Sequence, residues 1–342
     1  PFLPAWLGGS EDINATASAY FAVIAMALPA FQFSMFGAGM LRSSGNMVVP
    51  SAMSVVMMAL NVVFNFFLIF PTRTASLLGA AVTIPGAGLE VRGAAIGTVS
   101  AELVAAAITM YLLCFRSREL SLRIDSGRFR PTRQVVRQAL RIGLPMGLQQ
   151  AIMCSAYVVT TVIIAPLGTI AIAAHSFGII VESLCYMPGY GIADAATTLV
   201  GQSIGARRHD LTKRFAWLSV ALGVAVMAAM GVCMYAGAPL AMALMTPVAE
   251  VRQLGVEVLR IEAFAEPMFA AAIVCYGVFV GAGKTLAPSV MNLVSMWGVR
   301  ITLAALLAPT MGLRGVWLAM CIELCFRGLI FLGRLRWGRW TD

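Results

Sequence analysis

Glu262 and Glu266 stand four residues apart in an otherwise apolar stretch, with Pro267 directly after them. On a helix that spacing puts both carboxylates on one face. Pro267 lacks the N–H that would bond the carbonyl one turn back. Two crowded acids beside a released carbonyl suit a proton or a Na⁺ ion, because neighbouring carboxylates resist ionising together. Glu182 precedes the run Tyr186-Met187-Pro188-Gly189-Tyr190-Gly191, and Asp194 lies twelve residues beyond it. The proline and glycines predict a bent helix lining a cavity, since irregular backbone at membrane depth persists only beside protein or water. Tyr186 and Tyr190 offer aromatic faces to an organic cation. These four acids are the candidates for cation coupling. Candidates for substrate contact are Tyr186 and Tyr190, Gln149 and Gln150 after the Gly143-Leu144-Pro145 kink, Asn61 and Asn65 four residues apart, and His175. For the amides, hydrogen bonding between helices is the preferred reading over substrate contact. Glu323 and Arg327, again four apart, are expected to pair. The seven cysteines all lie in apolar stretches without metal-ligand spacing, so neither a metal nor an organic cofactor is expected.

The elements that must position these groups are set by composition. Of 342 residues, 60% are hydrophobic and 11% charged, and mean hydropathy is +0.87. A soluble domain carries about 25% charged residues, so an all-α polytopic membrane protein is expected. Ionisable residues inside spans are costly and therefore functional candidates; here they are Glu102, Glu182, Asp194, Glu262, Glu266, Arg300, Glu323 and Arg327. Nine segments qualify: 16–41, 46–70, 92–115, 139–165, 170–204, 213–245, 253–280, 285–308 and 312–333, the sixth and seventh separated by a break near Thr246–Arg252. Seventeen basic residues fall in the loops and tail of one side, against Arg73, Arg92, Arg252 and Arg314 on the other. That asymmetry assigns the C-terminus to the cytoplasm and residue 1 to the outer side of the plasma membrane. The net charge of +9 thus reads as a topology signal rather than a nucleic-acid footprint. No HExxH, G-x-S-x-G or nucleotide loop is present, so a membrane-embedded enzyme is not expected.

Residues 25–56 match residues 263–294 at an offset of 238, with ten identities that include Pro29/Pro267, Gly39/Gly277, Gly45/Gly283 and Pro50/Pro288. Further on, Gly88–Gly93 resembles Gly312–Gly315, across a longer outer loop at 71–91. Segments one to three therefore repeat as seven to nine, six spans apart and in the same orientation, a parallel repeat. Residues 1–115 hold three spans of a first lobe, 116–141 a basic cytoplasmic linker, and 142–342 the six spans of a second lobe with a short basic tail. Partners for segments four to six are expected upstream of Pro1. That residue stands where an initiator Met would be, so the first lobe is expected to be incomplete, and an inactive truncated fragment is one alternative reading of the chain.

The chain resembles the multidrug and toxic compound extrusion (MATE) family. The resemblance is carried by Leu41-Arg42-Ser43-Ser44-Gly45-Asn46, Ile142-Gly143-Leu144-Pro145, Ala173-Ala174-His175, Leu199-Val200-Gly201-Gln202-Ser203-Ile204-Gly205-Ala206 and Gly281-Ala282-Gly283-Lys284-Thr285. It covers nearly all residues and is similar to the family's fourth to twelfth helices. It implies a two-lobe antiporter that exports small organic cations and drugs in exchange for H⁺ or Na⁺ by alternating access, as a monomer in the lipid bilayer. The family's acid on its first helix has no counterpart here, and Gln149 and Gln150 stand where one branch places an acid on the seventh. The family's tenth-helix acid corresponds to Glu262 or Glu266. A lipid-linked oligosaccharide flippase of the same superfamily is the alternative. It would need basic residues lining a groove, and the spans offer Arg260, Arg300 and Arg327.

Overall fold

The computed structural model describes residues 11–77, 80–116, 132–338 and 340. The chain divides into two units, Pro1–Phe129 and Arg130–Asp342. The division falls within the stretch expected as a linker. Residues 133–141 of that stretch form the first turns of a helix, and residues 117–131 lie outside the described residues.

The first unit holds α1 (Glu11–Ser43), α2 (Val48–Ile69), a hairpin of β1 (Pro71–Leu77) and β2 (Ala80–Ala87), and α3 (Glu90–Tyr111). The outer loop expected at 71–91 is thus an antiparallel ribbon, with Thr74 opposite Thr83. Helix α3 packs on both α1 and α2, and Ala95, Ala101 and Ala105 on it are buried. Lipid supplies no hydrophobic drive between helices, so contact depends on small residues that let backbones approach.

The second unit holds α4 (Arg133–Ile164), α5 (Thr169–Gly205), α6 (His209–Met245), α7 (Ala249–Glu262), α8 (Glu266–Gly281), α9 (Leu286–Leu293), a π-helical stretch (Val294–Ile301), α10 (Thr302–Met311) and α11 (Leu313–Trp337). Among the described residues eight helices are long and apolar enough to span a membrane, and α7 with α8, bent by 59°, makes a ninth. The expected break after the sixth span is present between Met245 and Ala249. Helix α8 is the centre of this unit, with α5, α6 and α11 packed around it. A Cβ on Gly277 would lie 2.5 Å from the Ala193 carbonyl oxygen, and Thr197 Oγ1 donates to the Gly277 carbonyl at 2.8 Å. The α5–α8 contact is therefore backbone against backbone.

The repeat reappears in the turns. After α1, Ser44 N bonds Met40 O, Gly45 N bonds Arg42 O and Asn46 N bonds Leu41 O. After α8, Ala282 N, Gly283 N and Lys284 N bond Val278, Val280 and Phe279 in the same pattern. Gly45 (φ 87°) and Gly283 (φ 71°) both take the left-handed conformation that closes such a turn. The turn after α5 has the same three bonds, with Arg207 at φ 57° in the glycine position. Gly88 and Gly312 also share φ 62°. One pair departs: Pro29 lies inside the unbroken α1, whereas Pro267 follows the break before α8.

The faces of the repeated helices differ too. Gly277 is covered by α5, while on α1 its counterpart Gly39 borders an open groove of about 800 Å³ beside Met35, Phe36 and Met40. A methyl group on Gly39 would meet nothing within 4 Å. Gly277→Ala is therefore expected to lower stability by about 1–3 kcal/mol through overpacking, and Gly39→Ala to leave it unchanged. Thermal unfolding of the two variants in detergent micelles checks this.

Candidate functional site

Six ionisable groups are buried in the second unit: Glu182 on α5, Glu262 at the end of α7, Glu266 at the start of α8, Arg300 in the π-helical stretch, and Glu323 and Arg327 on α11. Glu262, Glu266 and Glu323 are each no more than 1% exposed. A buried charge must be paired or neutralised, because removing it from water costs far more than any one contact returns.

Glu323 is paired. Arg327 Nε donates to Oε1 at 2.7 Å and Arg327 Nη2 to Oε2 at 2.7 Å, a two-pronged contact. Arg300 adds Nε at 3.0 Å and Nη2 at 2.8 Å, both onto Oε2, and Ser295 Oγ donates to Oε1. The expected Glu323–Arg327 pair is present, joined by an arginine 23 residues away in sequence.

Glu262 and Glu266 are not paired: all four of their carboxylate oxygens are buried without a hydrogen-bond partner. The expectation of one shared helical face needs correcting. Residues 263–265 break the helix, so the two acids flank the 59° bend rather than sit one turn apart. The bend is packed by α6: a Cβ on Gly231 would be 2.9 Å from the Ala263 carbonyl oxygen and 3.1 Å from Glu266 Cβ. Beside Gly231, the Met230 carbonyl lies 3.9 Å from Cys185 Sγ on α5, one turn from Glu182. Glu262 lies within electrostatic reach of Glu182, Glu266 and Arg300, and Glu182 within reach of Glu266 and Arg300. Four buried carboxylates thus face two guanidinium groups, both held by Glu323. Among the described residues no group of three or more His, Cys, Asp or Glu side chains is close enough to hold a metal ion. The acids share a charged neighbourhood and not a single ligand sphere.

An aromatic row runs beside the acids. Tyr186 meets Tyr190 edge-on at 5.7 Å and Phe269 at 5.6 Å, and the Arg327 guanidinium lies 5.9 Å from the Phe269 ring centre. Phe269 was not a sequence candidate; its only signal is identity with Phe31 in the repeat. Pro188 lies inside the unbroken α5.

The other candidates lie elsewhere. Asp194 is exposed. Gln149 is buried and accepts from the Tyr276 hydroxyl at 3.1 Å, whereas Gln150 is exposed and directs its amide at Cys154 Sγ, 3.8 Å away. His175 Nδ1 accepts from Trp317 Nε1 at 3.2 Å. In the first unit, Asn61 donates to Thr98 Oγ1 at 3.1 Å and Asn65 to Asn61 Oδ1 at 2.8 Å, a chain that ties α2 to α3. Gln149, His175, Asn61 and Asn65 therefore act as bonds between or along helices. Removing the charge of Glu323 by Glu323→Gln should cost about 3–5 kcal/mol, since two buried arginines lose their counter-charge. Glu262→Gln has no partner to lose and should not lower stability. Unfolding midpoints of the two variants in one detergent decide between these outcomes.

The family model described as MatE matches residues 1–67 and 145–306. A probable multidrug resistance protein NorM of Thermotoga maritima is 27% identical over 337 residues, 96% of this chain and 68% of that protein. A protein of the same description from Xylella fastidiosa is 28% identical over 282 residues, covering 78% of this chain and 60% of its own. Among solved structures, an outward-facing multidrug resistance MATE family transporter of the MOP superfamily superposes with a TM-score of 0.85 at 21% identity, covering 99% of this chain and 73% of that one.

Proposed function

The chain belongs to the MatE family, and from that premise we propose that it takes part in secondary active export of small organic cations and drugs, driven by inward H⁺ or Na⁺. The observation that carries this reading is the pair Glu262 and Glu266, four buried carboxylate oxygens without a partner at a helix break. Such groups stay in a bilayer only by holding a cation, and a site that must hold a cation in one state and release it in another is what antiport requires. Glu182 enlarges the same negative field. Tyr186, Tyr190 and Phe269 line an aromatic surface where an organic cation would bind in competition with the inorganic one. The names of the relatives, probable multidrug resistance proteins, support this substrate class. Among the described residues both buried arginines of the cluster are held by Glu323 and Arg260 lies over the Tyr235 ring, an arrangement that favours efflux over lipid-linked sugar flipping. The reading further places the C-terminus in the cytoplasm of a plasma-membrane monomer that works by alternating access.

In everted membrane vesicles, ethidium uptake driven by the protein should collapse when the H⁺ gradient or the Na⁺ gradient is dissipated, and the sensitive arm names the coupling ion. Glu266→Gln and Glu182→Gln should each weaken cation binding at least about tenfold, the loss of one charge-assisted contact in a low-dielectric site. Uptake indifferent to both gradients, or unchanged binding in both variants, overturns the proposal.

A further inference from the structure

Resting on that reading of the acids, we infer that Arg300 is a tethered counter-cation: it neutralises Glu182 and Glu262 when the inorganic cation has left, and returns to Glu323 when the cation binds. Three observations carry this. First, Glu323 has more positive charge than it needs. Arg327 alone covers both carboxylate oxygens, while Arg300 places two nitrogens on Oε2, already occupied by Arg327. Withdrawing Arg300 leaves a neutral, fully bonded pair behind. Second, the nearby acids have too little: Glu262 and Glu266 have no partner, and Arg300 is within electrostatic reach of Glu262 and Glu182. Third, the backbone that carries Arg300 is built to shift. Val294–Ile301 is π-helical over eight residues, a wide winding that tends to mark functional sites. Conversion of one turn to α-helix swings the side chains that follow. Thr302 Oγ1 already donates to the Trp297 carbonyl at 3.2 Å, and a Cβ added to Gly298 would meet no other side chain closer than Val294 at 4.0 Å. The ionisable groups within electrostatic reach of Arg300 are Glu323 from α11, Tyr157 from α4, Glu262 from α7, and Glu182 and His175 from α5; of the carboxylates among them, Glu323 is already satisfied by another cation.

The inference makes Arg300 a positioning residue whose loss tightens cation binding, where a structural residue's loss would weaken it. For the purified full chain in detergent, the probes are ²²Na⁺ binding and proton release on adding ethidium. In Arg300→Gln the half-point of cation uptake, read as Na⁺ concentration or as pH, should shift roughly tenfold toward tighter binding, as expected for removing one like charge a few ångströms away. Arg300→Lys should keep the original value. Unchanged or weaker binding in Arg300→Gln overturns the inference. Should that variant not fold, Trp297 serves as the reporter in the otherwise unaltered site, with the other tryptophans replaced. Its fluorescence should change on cation binding, and a silent Trp297 with cation bound overturns the inference. Failure of the underlying reading looks different: the chain carrying Glu182, Glu262 and Glu266 would then bind neither cation at all.

Discussion

Neutralising charge away from water is the constraint on which the second unit depends. A bilayer offers no solvent to an ionised group, so each buried carboxylate must find a guanidinium, a cation or a proton. Glu323 meets the requirement within the fold, held by Arg327 on its own helix and Arg300 from the π-helical stretch. Glu262 and Glu266 do not. The same unit thus contains one carboxylate fully satisfied by its neighbours and two whose oxygens have no hydrogen-bond partner. A fully paired cluster would be inert, and a cluster without Glu323 would leave two arginines unpaired.

The acids can be brought together because the helices approach closely. Gly277 and Gly281 on α8 meet the α5 backbone, Gly231 on α6 fits against the bend, and Gly328 on α11 meets the Met268 carbonyl. Any larger side chain at these positions would move a helix that carries an ionisable group. The packing of small residues and the electrostatics of the site are therefore one arrangement: a side chain at Gly231 would run into both the Ala263 carbonyl and the Glu266 side chain. The turn that follows α1, α5 and α8 recurs with the same three bonds, so similar helix ends are reused even where the sequence has Arg207 in place of glycine.

Much of this was legible in residue order, because hydropathy, charge asymmetry and short-range spacing act locally. The nine apolar segments, the duplicated turn at Gly45 and Gly283, and the Glu323–Arg327 pair each follow from residues within a few positions of one another or from direct self-similarity. The hydrogen-bonding role of the amides was legible too, but not their partners. Asn61 and Asn65 share a face four residues apart, but nothing in their spacing names Thr98 as the partner. The hairpin at 71–87 was not anticipated.

What the sequence determined by itself was partition: which segments are apolar enough to leave water, and which acids lie within them. Tertiary structure alone decided pairing between helices. Pro29 and Pro267 occupy the same place in the repeat, yet only the second adjoins a break, because a missing N–H permits a bend without requiring one and the surrounding helices decide. Arg300 reaches Glu323 across 23 residues and Tyr276 reaches Gln149 across 127. Such contacts depend on how helices cross, which is fixed by the shapes of many small side chains together and is written in no single stretch of the chain.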